Sequence, residues 1–124
     1  MRYLVRAAVI ALAACSNPSG PVDIATTPAQ AIRIDNGTSA PIYYFAIEAK
    51  AAMSANWGPC SNPRTCNGIQ EGASREVPFS QIALYSPGAK FALVYWWHLI
   101  PGGGGRFVPD SLRAVAVALE PGTQ

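Results

Sequence analysis

The stretch Lys90–Ile100, KFALVYWWHLI, leaves this chain few ways to fold. It is rich in aromatic and β-branched residues, with Ser86-Pro87-Gly88 before it and Pro101 and the run Gly102–Gly105 after it. Such a segment reads as a long β-strand, too apolar on both faces to be an exposed sheet edge. Alternation places Phe91, Leu93, Tyr95 and Trp97 on one face and Ala92, Val94, Trp96 and His98 on the other. The face shared by Trp97, Phe91, Leu93 and Tyr95 carries the larger apolar side chains and is expected to be the inner one.

Period-two patterns recur along the rest of the chain. Ala31–Asp35 alternates apolar and polar residues, and Asn36-Gly37 after it is a hairpin signal. Pro41–Ile47 reads as a strand, Arg75–Phe79 as an edge strand demoted by Pro78, and Gln81–Tyr85 as a further short strand. Leu112–Leu119 closes the pattern, and Gly102–Gly105 reads as a flexible hairpin tip. The one helical candidate, Glu48–Ala55, is about two turns long. Six or so short strands predict an all-β fold with at most one short helix. It is expected as a small antiparallel β-sandwich of immunoglobulin-like size or a partly open barrel.

The length of 124 residues suits one small domain. Half the residues are apolar and only 13% are charged, which excludes a wholly disordered chain. A net charge of +2 is too weak for a nucleic-acid footprint, so no nucleic-acid partner is expected.

The N-terminus has the layout of a secretory signal: Arg2 and Arg6, the apolar run Ala7–Ala14, then Cys15. The run is too short to span a bilayer, which takes roughly 20 apolar residues. Leu12-Ala13-Ala14-Cys15 resembles the lipobox of bacterial lipoproteins, with a leucine, two small residues and the cysteine. The resemblance implies a type II signal peptide cut before Cys15, with a diacylglyceryl group on its sulfur and an acylated amine. It also implies an envelope location outside the cytoplasm, at the outer membrane if the source is Gram-negative, because Ser16 rather than Asp follows the cysteine. An anchor of several acyl chains is effectively permanent at about 0.8 kcal/mol per buried CH₂.

Residues 1–14 are therefore expected to be signal, 15–31 a lipidated cysteine and a Pro/Ser/Thr-rich tether, 32–120 the sandwich, and 121–124 a tail. Loss of Arg2 and Arg6 leaves seven basic and seven acidic side chains.

Outside the cytoplasm disulfides persist, and once Cys15 carries lipid the pair Cys60 and Cys66 remains. A bridge between them is expected, stabilising the fold by roughly 2 kcal/mol on the loop-entropy account. The competing reading, a zinc site of both thiolates with His98, meets a Cys-x5-Cys spacing wider than usual, and neither metal nor cofactor is expected. No Gly-x-Ser-x-Gly motif occurs, and no phosphate loop follows the glycine run. Hydrolase chemistry is the third-ranked function, with no catalytic residue assigned; His98, the single histidine, would need a nucleophile and an orienting carboxylate.

The aromatic residues carry the remaining information. Trp96, His98, Tyr44 and Trp57 are the candidate ligand-binding residues, forming an aromatic patch for a glycan or peptide. Against this, the Trp57 loop, pinned by Cys60–Cys66, could fold over that face and bury Trp96. The expected role is a structural or accessory lipoprotein acting through an envelope protein partner, with loops such as 101–110 presented to it; the glycan- or peptide-binding module is the alternative.

Overall fold

The computed structural model describes residues 20–119 of the chain. The expected signal peptide 1–14, Cys15 and the tail 121–124 lie outside the described residues. Among the described residues no helix is long and apolar enough to cross a membrane.

The strand β6 (Phe91–Trp97) is paired along both edges. On one side lies β3 (Ile42–Glu48), antiparallel, from Tyr43 opposite Trp97 to Glu48 opposite Ala92. On the other lies β9 (Arg113–Ala118), from Phe91 opposite Ala118 to Trp96 opposite Arg113. The short β4 (Gly68–Ile69) completes a sheet in the order β4-β3-β6-β9. A second antiparallel sheet, β1-β2-β5, is built from β1 (Val22–Thr27), β2 (Ala31–Asn36) and β5 (Ser74–Pro78). The two sheets enclose one core and make the protein a small all-β sandwich. Ile32, Ile34, Val77 and Phe79 meet Ile42, Ala46, Ala92, Val94 and Val117 there. A separate ribbon, β7 (Leu99–Gly103) with β8 (Arg106–Pro109), continues from β6, its tip formed by the expected glycine run.

Several expectations from sequence change. The core face of β6 is Ala92, Val94 and Trp96, not the Trp97 face. Ala92 and Val94 pack there against the opposing isoleucines, whereas Phe91, Leu93, Tyr95 and Trp97 point to the outer side. Trp97 is nonetheless fully buried, because the 53–67 loop covers that side. The bridge between Cys60 and Cys66 is formed, and the Cys60 carbonyl accepts the Trp97 indole N–H at 3.0 Å.

The segment 15–31 is not a tether throughout. Val22–Thr27 forms β1 and pairs with all of β2, because Val22, Ile24 and Thr26 alternate with more exposed residues. Asn36-Gly37 is not a hairpin tip either, since β2 and β3 belong to different sheets. Residues 79–85 are a 3-10 turn (Phe79–Gln81) followed by a single bridge of Ala83 to Ile47. Lys90–Ile100 is broken at His98, whose N–H leaves the ladder to bond the Asp110 carboxylate at 2.9 Å. The helix is only α1 (Ala49–Ala52); it starts after Glu48, whose carboxylate caps it by accepting the N–H groups of Lys50 and Ala51, and it ends at Met53.

The corner between the sheets is held by Asn36, the one buried polar side chain among the described residues, 1% exposed. Its Nδ2 donates to the carbonyls of Ala40 and Ile69, both at 2.9 Å. Its Oδ1 accepts the Thr38 N–H at 2.9 Å and hydroxyl at 2.6 Å. Gly37 follows because its N–H bonds Pro21 O at 3.0 Å, and a Cβ there would lie 2.5 Å from that oxygen.

Asn36→Ala removes the side-chain donor to the buried Ile69 carbonyl and one of two donors to the Ala40 carbonyl, and is expected to lower unfolding free energy by about 2–4 kcal/mol, read by urea denaturation. Gly37→Ala should act more locally. Hydrogen exchange at the β1 amides is expected to accelerate while the β3 and β6 amides stay protected.

Candidate functional site

The sandwich has two distinct ends. At one stand Gly20, the Asn36–Ala40 corner, β4, Trp97, the disulfide loop and the β7–β8 ribbon. At the other stand the β1–β2 turn, α1, the 84–90 loop and Phe91.

The four residues expected to form one aromatic patch are divided by the sheet. Tyr44 and Trp96 face each other across β3 and β6 on the core side, each half-buried. Trp57 lies on the outer side, with ring centroids 4.5 Å from Phe45, 4.7 Å from Tyr95 and 6.4 Å from Trp97. Tyr44 and Trp57 still border a common groove of about 250 Å³, with Cys66, Asn67 and Trp97 on its other walls. Trp96 and His98 do not line it. The Arg113 guanidinium lies 4.4 Å over the Trp96 ring, and His98 meets the ring edge-on at 5.7 Å.

His98 has the two partners that the sequence did not reveal. Its Nδ1 lies 3.2 Å from Asp110 Oδ2, and its Nε2 lies 3.0 Å from the Thr38 hydroxyl. Hydroxyl, imidazole and carboxylate thus follow in the order of a nucleophile, base and orienting acid. The hydroxyl is also held by Asn36 Oδ1 and by Ala40 O at 3.0 Å, so its one proton has competing acceptors. Neither the groove beside Tyr44 nor that beside the disulfide loop is lined by Thr38 or His98. Thr38 and Asp110 carry no motif that could have named them, since 60 and 12 residues separate them from His98.

Asp110 is the electrostatic hub of this cluster. Partial burial would raise its carboxyl, but the N–H groups of His98 and Ser111 and the Arg113 guanidinium outweigh that effect. They hold it at about 2, below the ordinary 3.8. The ionised carboxylate accepts only, so the facing Nδ1 of His98 carries a proton.

Cys60 and Cys66, joined as a disulfide, offer no thiolate to a metal. A larger groove of about 830 Å³ runs between the disulfide loop, Pro59–Arg64, and the ribbon, Gly105–Pro109. Searches of protein-family models, of curated proteins and of solved structures found no match to this chain.

Because the folded-state value of Asp110 is depressed, its contribution is present in full above about pH 4 and is lost as pH falls through about 2. Asp110→Asn is expected to remove about 1–2 kcal/mol at neutral pH, allowing for its partial exposure. Acid titration of both proteins in urea should show the difference between them vanish near pH 2.

Proposed function

We propose that the chain is a lipid-anchored accessory protein of a bacterial cell envelope. In this reading it is fixed to the membrane through Cys15 and docks a protein partner at the end of the sandwich remote from the anchor. One observation carries the docking end. The three most exposed large apolar side chains, Met53 at 88%, Leu84 at 65% and Phe91 at 51%, all stand at the end opposite Gly20. Leu84 also holds a left-handed backbone, φ 59°, a conformation that a bulky residue adopts only under constraint from its surroundings. Between α1 and the 84–90 loop lies a groove of about 430 Å³ bordered by Lys50, Lys90 and Phe91. Phe91 lines this groove, with Met53 and Leu84 at the same end, and exposed apolar side chains clustered at one end mark a docking surface.

The anchor rests on the lipobox and on the place where the fold begins. Four residues, Ser16–Ser19, separate Cys15 from Gly20. With β1 beginning at Val22, the lipid attachment and Pro21, whose carbonyl accepts the Gly37 N–H, are at most about 20 Å apart.

A second reading, ester or amide hydrolysis, has one observation in its favour, the Thr38–His98–Asp110 alignment. It requires the purified protein to cleave an activated ester above the buffer rate and His98→Gln to abolish that cleavage. No turnover above buffer ends it.

Two measurements test the main reading. Metabolic labelling with a fatty acid should mark the wild type and leave Cys15→Ser unmarked. Photo-crosslinking groups placed at 53, 84 and 91 are expected to capture one common protein in cells, and a group at Glu76 on β5 none. Equal capture from position 76, or none from the three, overturns the docking end. Leu84→Gly should weaken capture at 53 and 91 while leaving stability unchanged or raised by up to about 1 kcal/mol, since glycine accepts the left-handed backbone.

A further inference from the structure

We infer that the β7–β8 ribbon is a second, non-covalent membrane contact that lies against the surface of an anionic phospholipid bilayer. The inference rests on the anchor proposed above and goes beyond it. The ribbon leaves the same end of the sandwich as Gly20, and the chain outside the structure between that point and Cys15 is only four residues long. Pro21, at that end, is therefore held within about 20 Å of the lipid attachment, and the end from which the ribbon departs is the one turned toward the membrane.

The ribbon's chemistry suits that position. Ile100 is opposite Val108, and Pro101 opposite Phe107, so these two pairs occupy the two faces of the ribbon. Ile100, Phe107, Val108 and the neighbouring Leu112 are 41–46% exposed. Apart from Arg106 beside the tip, the paired positions of the ribbon are apolar on both faces. Its outward positions are blunted against strand pairing. Val108 and Asp110 point their N–H groups toward β7, as the bond of Asp110 N to His98 O fixes the alternation. The outward-facing pair beyond them has Pro109, and the next has Pro101, neither of which can donate. Each outward-facing pair thus keeps a single N–H, that of Leu99 or of Phe107, beside the exposed side chains.

Charge supplies the second argument. Arg64 on the disulfide loop and Arg106 on β8 line the 830 Å³ groove with Phe107 and Val108. Among the described residues neither guanidinium meets a carboxylate within ion-pair distance. Two unpaired guanidinium groups beside apolar side chains match a lipid phosphate with the first methylenes below it. At a surface rich in anionic lipid, each cation near the headgroups adds to the attraction.

The test uses the lipidated protein purified from membranes and reconstituted into vesicles of phosphatidylethanolamine and phosphatidylglycerol. The mass of its N-terminal peptide is measured first. An unmodified Cys15 removes the anchor and this proposal together. With the lipid present, F107W should gain a tryptophan signal quenched about twofold or more by lipids brominated in the upper acyl chain, as for a group seated at the interface. M53W, at the far end, should gain a signal that those lipids leave unchanged and iodide in solution quenches. Combined Arg64→Gln and Arg106→Gln should abolish the preference of F107W quenching for phosphatidylglycerol over phosphatidylcholine vesicles. If Cys15 is lipidated but F107W is quenched by iodide and not by brominated lipid, the anchor stands and the ribbon contact falls. F107W shielded from both quenchers in native membranes, but open to iodide in the vesicles, would assign the ribbon to a protein partner instead. Circular dichroism of each variant against wild type establishes that the fold is kept.

Discussion

The fold depends on a buried amide that has every partner it can take. Asn36 ends β2 at the corner where the chain passes from one sheet to the other, and its side chain bonds the 38–40 turn and the Ile69 carbonyl of β4. Its own backbone N–H donates to Ala73 O, and its carbonyl accepts from Gly72. A polar group at this depth is destabilising unless satisfied, so alternative arrangements of the corner are penalised more heavily than by packing alone. Through the Thr38 hydroxyl the same network reaches His98 and Asp110, tying the corner to the point where the ribbon departs.

The β4-β3-β6-β9 sheet is apolar on both sides, and its two sides are covered in different ways. The core side carries Ala46, Ala92, Val94 and Val117 against the isoleucines of β2. The outer side carries Phe45, Tyr95 and Trp97, roofed by a loop with one large inserted side chain, Trp57, and one covalent clamp. A regular third layer would have taken another sheet or long helix. A loop suffices here because aromatic rings cover much area per residue and the Trp97 indole finds its acceptor in the Cys60 carbonyl.

The strands were legible in the sequence because period and composition are local properties. The central strand, the ribbon tip at the glycine run, β3, β5 and β9 all follow from alternation and turn residues, and the disulfide from cysteine count and spacing. What the sequence concealed was which face meets which layer. The larger side chains of β6 suggested that the Trp97 face was inner, but the isoleucines of the other sheet pack on the face with Ala92 and Val94. Asn36-Gly37 has the composition of a two-residue hairpin, yet the next strand joins the other sheet, a choice made by partners far along the chain. In the same way VDIATT alternates as a strand should, but the prolines around it make a tether the simpler local reading. Of the candidate site, His98 was legible as the single histidine and Trp96 as a candidate binding aromatic. Thr38, Asp110 and Arg113 join them only through tertiary structure.

The register of β1 on β2 has a mechanical consequence. The chain enters β1 at Val22, at the proposed membrane end, and every residue from Val22 to Thr27 has a partner on β2. A pull between the lipid and a partner at the far end would run along the strands, perpendicular to the rungs that join them. All six rungs would then bear the load together, in shear, instead of opening one after another from a free end. A domain stretched between a membrane and a neighbour would yield at no single hydrogen bond, and the strand mistaken for a leash is the part built to hold tension.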